Sequence, residues 1–417
     1  MKKFKPNFFL GAATAAHQVE GNNIHSDCWV EENLIHSSYD EPSLNAVDHY
    51  HHYKEDILSL KKAGLNTYRF SIEWARIQPE PDAWEEKEIS HYRDVLLFCK
   101  ENGITPIVTM FHFTSPRWLI TMGGWENPEI VPIFAEYCRR VVSELGDLME
   151  YVCTLNEANM RLFISEILKT IGVKQAAQVG INLDQDSSTL AAEKEAAEAF
   201  GLTYPDIPHT FVSPCTEQGD LLTMEAHIAA REAMKKECPH LKIGVTLTVH
   251  DIQVLPGGEE AAAKEWDIEF MHYLPYLKDD DFLGVQCYTR KRFDSNGLMP
   301  YEKGIKLSQM GYEIYPDAIS GAVRKIAKSF KGNILITENG IATDDDKERI
   351  RFIDKATDGI CKCIDEDIPI LGYIYWSLLD NFEWQKGYGM TFGLIAVDRQ
   401  TQKRYPKESL AFLGSLI

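Results

Sequence analysis

The chain is short of positive charge. Its 43 Lys and Arg stand against 63 Asp and Glu, a formal charge of −20 with a pI near 5.1. Nothing in that balance neutralises a phosphate backbone, so no nucleic acid partner is expected. Long apolar runs are missing too. None approaches the ~20 residues of a membrane span, so no membrane partner is expected. Met1-Lys2-Lys3 before Phe8-Phe9-Leu10-Gly11-Ala12-Ala13 has the outline of a signal peptide, but Lys5, Pro6 and Asn7 interrupt it and the apolar run stops at His17-Gln18. A first strand is the better reading. The nine cysteines are scattered singly and form no CxxC pair, and Cys361 and Cys363 are too close to bridge. This argues against a cysteine metal site and predicts reduced, mostly buried thiols in a cytoplasmic protein. A GxxxxGK[ST] phosphate cradle is absent, as is any internal repeat. No cofactor is called for.

What is present is ordinary globular composition, 44% hydrophobic and 25% charged over 417 residues. Short apolar runs at 8–13, 67–70, 106–111, 151–157, 242–248, 282–286, 334–338 and 372–376 read as strands. Between them, apolar residues recur near period 3.6, as Tyr50, Tyr53, Ile57, Leu60 and Leu65 do before and after the stop at Gly64. Residues 18–48 are polar and loop-like. The beat breaks once, where about ninety residues separate Glu157 from the fifth strand; helices are expected there at 190–200 and 223–236, with a Pro-punctuated loop at 201–216. Eight strand–helix units without a shift in composition predict an α/β fold, a single (β/α)8 TIM barrel over 1–417, with an atypical insertion at about 160–222.

Two of the strands end on a carboxylate. Leu335-Ile336-Thr337-Glu338-Asn339-Gly340 runs strand, acid, turn, and Tyr151-Val152-Cys153-Thr154-Leu155-Asn156-Glu157 repeats the layout with an Asn before the acid. In a parallel barrel, strand ends form the mouth where chemistry is done. Two carboxylates there suit one acid/base and one nucleophile. The other proposed strand ends and their following loops carry Gln18, Arg69, His112, Tyr288, Trp376, Glu383 and Trp384. This polar, aromatic set suits a neutral polyhydroxylated ligand. His49, His51 and His52 are spaced like metal ligands but fall in a charged helix without an acidic or Cys partner at suitable spacing, so no metal is expected. The runs Asp279-Asp280-Asp281 and Asp344-Asp345-Asp346 read as solvated loop charges.

The chain resembles glycoside hydrolase family 1, the β-glucosidase family, over essentially its whole length. The resemblance is strongest at 8–160 and 330–400. It is carried by Gly11-Ala12-Ala13-Thr14-Ala15-Ala16-His17-Gln18-Val19-Glu20-Gly21, by Tyr68-Arg69-Phe70-Ser71-Ile72-Glu73-Trp74, and by Gly123-Gly124-Trp125. Asn156-Glu157, Thr337-Glu338-Asn339-Gly340 and Asp380-Asn381-Phe382-Glu383-Trp384 carry the rest. The resemblance implies Glu157 as acid/base and Glu338 as nucleophile of a retaining mechanism, with Arg69 and Tyr288 favouring ionised Glu338. It implies Asn156 on the sugar 2-hydroxyl, and Gln18, His112, Trp376, Glu383 and Trp384 around the non-reducing sugar. It also implies a cis peptide at Trp376–Ser377.

The sequence departs from the family in places. Ala158 follows the acid where the family has Pro, and Gln286, in Gly284-Val285-Gln286-Cys287-Tyr288, is one methylene longer than the usual Asn, so its hydrogen bond must be rearranged. The segments that build the leaving-group side are not recognisable. The expected activity is hydrolysis of small β-glucosides or short oligosaccharides, with β-galactosides and β-fucosides as further candidates. Two alternatives stand beside it: a 6-phospho-β-glycosidase, disfavoured because Glu383 would repel a 6-phosphate, and an inactive sugar-binding barrel, disfavoured because both Glu residues are present. A homo-oligomer is left open.

Overall fold

Eight parallel strands close on themselves in a computed structural model that describes residues 2–169 and 190–417. They are β1 (Phe9–Ala13), β2 (Thr67–Ser71), β3 (Thr105–Phe111), β4 (Tyr151–Leu155), β5 (Lys242–Thr248), β6 (Phe282–Gln286), β7 (Asn333–Asn339) and β8 (Ile370–Trp376). Each strand pairs with the next, and β8 returns to β1 with Ala13 beside Trp376. Helices follow the strands in turn, from His49–Ala63 after β1 to Glu408–Gly414 after β8. This is the (β/α)8 barrel expected from the alternation of apolar runs and helical periodicity. Gly64 does close the first of these helices, in the left-handed conformation at φ 94°, where a side chain would be strained.

The strands separate two apolar layers. Leu10, Tyr68, Phe70, Val108, Val152 and Ile243 face outward against the helices, while Ile107, Cys153, Phe282, Leu335 and Ile374 fill the barrel. Side chains alternate along a strand, so Arg69, between outward Tyr68 and Phe70, is carried inside, where it is 1% exposed. Glu338 would be carried the other way by the same rule, three residues after inward Leu335. A bulge corrects it: Ile336 pairs with Val285 but Glu338 pairs with Gln286, so two steps on β7 match one on β6. An extra residue re-aims the side chains beyond it. Gly340 is needed here for closeness rather than for a left-handed turn, since a Cβ on it would lie 1.9 Å from the Trp376 carbonyl oxygen.

Several expectations need correction. The stretch 18–48 is not all loop: Ala16–Glu20 and Asp27–Glu32 are helical, the second capped by the Ser26 hydroxyl accepting from the Trp29 amide. The acidic triplets are largely structural. Asp280 accepts from Arg231 and His227, the Ile243 amide donates to Asp281, and Asp345 caps the helix Asp346–Asp365 while Ser409 donates to Asp346. Strand β4 stops at Leu155, leaving Asn156 and Glu157 just beyond it. The expected helix at 223–236 begins earlier, as Glu217–Glu237. Within the proposed insertion, Leu190–Ala199 is helical and 170–189 lies outside the described residues. His49 does sit in a helix, bonded to Asp56 and Tyr68 at 2.7 and 2.9 Å. Among the described residues no helix is long and apolar enough to cross a membrane.

Candidate active site

The carboxylate Glu338 is gripped on both oxygens. Arg69 donates through Nη1 to Oε1 at 2.6 Å, and the Tyr288 hydroxyl donates to Oε2 at 2.6 Å. Arg69 is itself fixed: its Nε donates to Thr109 Oγ1 at 3.0 Å and its Nη2 to Asn156 Oδ1 at 2.6 Å. Charge-assisted bonds of this length are the strong ones. Burial pushes the Glu338 carboxyl above its ordinary value, while Arg69, Tyr288 and Gln286 oppose that push by favouring the anion.

Glu157 is held differently. It takes the left-handed conformation, φ 45°, and its backbone amide donates to Thr246 Oγ1 at 2.8 Å. Such backbone outliers in non-glycine residues cluster at functional sites. Its carboxyl is pushed well above the ordinary range, first by burial and then by the negative charge of Glu338, with Thr248 and Arg69 opposing. A pair of buried acids driven apart in this way allows one to stay protonated while the other ionises.

Around the pair stands an aromatic and amide wall. The His112 ring stacks on Trp376 with centroids 5.7 Å apart and faces Trp384 at 6.1 Å. Burial drives its imidazole well below the usual histidine range, so the ring is neutral, and Nδ1 has no protein partner among the described residues. Gln18 donates to the Phe382 carbonyl at 2.6 Å and approaches Glu383 at 3.4 Å, leaving its own Oε1 buried and unpaired among the described residues. Buried polar atoms are normally paired, so these two orphans beside the acid pair are candidates for ligand contact. Glu383 is pushed up to about 8 by burial and then by Glu338. Trp376–Ser377 is a cis peptide, as expected.

The sequence matches the Glycosyl hydrolase family 1 model over residues 1–272 and 267–417. The chain belongs to that family. It is a glycoside hydrolase acting on O-glycosyl bonds, and its relatives include proteins named β-glucosidase and 1,4-β-D-glucan glucohydrolase. β-Glucosidase A of Thermotoga maritima is 31% identical, the match spanning 98% of this chain and 96% of the relative. The crystal structure of β-glycosidase BGL167 superposes with a TM-score of 0.90 at 42% identity, covering 99% of this chain and 96% of that one. The Thermotoga maritima β-glucosidase solved in complex with glucoimidazole superposes with a TM-score of 0.82 at 27% identity, covering 99% and 98%.

In this family 1 chain the ten residues picked from the sequence lie on the C-terminal side of the barrel. Arg69 and Trp376 lie on β2 and β8; His112, Asn156, Glu157 and Tyr288 follow closely on β3, β4 and β6; Glu338 precedes Asn339, the last residue of β7; Gln18, Glu383 and Trp384 come from the segments after β1 and β8. Sequence reasoning missed the hydroxyls of Thr109, Thr246 and Thr248, the first two lying two positions before a strand end and the third at one. Their signal was a Thr inside an otherwise apolar strand. It also missed His17, whose ring lies parallel to Trp384 at 5.8 Å and whose Nε2 faces Glu32 at 3.4 Å. Gln286 Nε2 donates to Asn156 Oδ1 at 2.8 Å.

Proposed function

We propose that this chain is a retaining β-glucosidase acting on small β-glucosides and short oligosaccharides, with Glu338 as nucleophile and Glu157 as acid/base. The observation that carries the reading is the contrast between the two acids. Glu338 receives Arg69 and Tyr288, whereas Glu157 accepts no bond from a cationic side chain among the described residues and is pushed further up. In the first step Glu338 attacks the anomeric carbon while Glu157 gives its proton to the departing glycosidic oxygen. In the second, Glu157 takes a proton from water, the water oxygen attacks the anomeric carbon, and Glu338 leaves with its electron pair. Two inversions give net retention, and a covalent route requires carboxyl groups about 5–5.5 Å apart. Asn156, its Oδ1 occupied by Arg69 and Gln286, turns its NH2 to the sugar 2-hydroxyl. Gln18, His112, Trp376, Glu383 and Trp384 hold the remaining hydroxyls and the ring face.

The rival 6-phosphate reading is met by a revised argument. With burial and Glu338 pushing its carboxyl up to about 8, the charge of Glu383 at pH 7 is too weak a ground for excluding a phosphate. What counts against the phosphate is that no Lys or Arg side chain bonds Glu383 among the described residues, where Glu338, Gln18 and Trp376 act on it instead. The nine free thiols support a reducing, cytoplasmic setting. The test is one plate holding nitrophenyl β-glucoside, its 6-phosphate, and the β-galactoside and β-fucoside. Turnover is expected on the glucoside and absent on the 6-phosphate; turnover of the 6-phosphate alone refutes the reading, and silence on all four moves it to the sugar-binding barrel.

A further inference from the structure

We infer that Gln286 is a positioning residue whose single amide ties the group that holds the sugar 2-hydroxyl to the nucleophile. The inference rests on the roles proposed above for Asn156 and Glu338. Gln286 is the last residue of β6, fully buried, paired in register with Thr248 of β5 on one side and with Glu338 of β7 on the other, across the bulge. Its Nε2 donates to Asn156 Oδ1 at 2.8 Å and lies 3.2 Å from Thr246 Oγ1. From Asn156 the chain of bonds runs on through Arg69 Nη2 and Nη1 to Glu338 Oε1, and Gln286 is among the groups that favour the Glu338 anion. Strand β6 therefore sends one NH2 group between the strand ends that carry the two acids.

Two consequences follow for the chemistry. Asn156 Oδ1 accepts from Arg69, Gln286 and Thr246, at 2.6, 2.8 and 3.3 Å. With its oxygen saturated, the Asn156 amide has one orientation, NH2 toward the sugar. Asn156 shares Arg69 with the nucleophile, so loosening Gln286 disturbs both at once. A side chain shorter by one methylene, roughly 1.5 Å, does not bring its NH2 to both Asn156 Oδ1 and Thr246 Oγ1 from the same Cα. The Gln286 Oε1 is buried with no partner among the described residues, which leaves this end of the amide free to adjust when a ligand enters. The charged and titratable groups that face Glu338 are Arg69 from β2, Tyr288 after β6, Glu157 after β4 and Glu383 after β8.

The experiment compares nitrophenyl β-glucoside with its 2-deoxy analogue in wild type and in Gln286→Met, which keeps volume and removes both bonds. On the glucoside, kcat/KM is expected to fall tenfold or more, the size of one charge-assisted bond. On the 2-deoxy substrate the fall is markedly smaller, because that sugar offers Asn156 no 2-hydroxyl to hold. The acidic limb of kcat/KM moves to higher pH on both substrates, because an anion-stabilising donor has left Glu338. A purely packing role predicts equal losses and an unmoved limb, and either of those results overturns the inference. Gln286→Asn, the insurance against a misfolded Met variant, is expected to restore one of the two effects and not the other; recovery of both also overturns it. If wild type turns over only the 6-phosphate, the substrate reading fails separately, and the same comparison is made on the 2-deoxy pair of that sugar.

Discussion

The two acid corners of the mouth are built from the same parts and reach opposite ends. Both acids stand at strand ends, and burial is the first influence on each. On the Glu338 side two donors grip the carboxylate, with the Arg69 guanidinium braced by Thr109 and Asn156. On the Glu157 side the support reaches the backbone amide, through Thr246, and the carboxyl feels the charge of its partner instead. The lesson is that a residue type does not carry a role. A guanidinium and a phenol bonded directly to the carboxylate stabilise the anion at one corner, and burial with a nearby negative charge, which together outweigh Thr248 and Arg69, preserves the proton at the other.

The comparison is broken most severely by removing the anion. Glu338→Ala is expected to lower turnover by at least about 10⁴-fold, and added azide should restore part of it as the α-glycosyl azide; a β-azide would reverse the assignment. At the other corner, Glu157→Gln is expected to cost about 10²–10⁴-fold on glucosides with poor leaving groups and far less on dinitrophenyl glucosides in the first step, read from the slope of log kcat/KM against leaving-group pKa. An unchanged slope contradicts it.

Smaller changes sharpen the contrast. Arg69→Met removes the cation from Glu338 and the brace from Asn156. A loss of about 10²–10³-fold in kcat/KM is expected, with the acidic limb moved up, since activity needs Glu338 ionised and the anion has become costlier. Tyr288→Phe removes a neutral donor only, so about tenfold and a smaller shift in the same direction are expected. In Glu338→Gln the like charge beside Glu157 is gone, so the Glu157 carboxyl should titrate at lower pH than in wild type; ¹³C-carboxyl NMR reads this directly, and an unmoved Glu157 would mean burial alone sets its value.

The barrel was legible because its signals are local. Apolar runs of five to seven residues, helical periodicity between them and Gly64 at a helix end each follow from nearby residues. The ten candidate residues could be picked out because strand ends and flanking motifs mark them, and the structure gathers them at one end of the barrel. What escaped depends on contacts between distant segments. The bulge that turns Glu338 inward is a register relation between β6 and β7, invisible in either strand alone. Asp280 looked solvated because its partners His227 and Arg231 lie about fifty positions away. The raised pKa of Glu383 comes from burial and from Glu338, neither of which its neighbours in sequence announce. The Ser26-Asp27 start of the helix Asp27–Glu32 was readable as a cap, but the polar composition around it masked the signal.

The central claim is that Glu338 forms a covalent bond to the sugar. The most direct measurement is mass spectrometry of the protein after treatment with dinitrophenyl 2-deoxy-2-fluoro-β-glucoside, whose fluorine slows the second step more than the first. The account predicts one fluoroglucosyl unit per chain, mapped to the peptide containing Thr337-Glu338-Asn339. An adduct on Glu157, or fluorosugar turned over with no adduct and an inverted product, would contradict it.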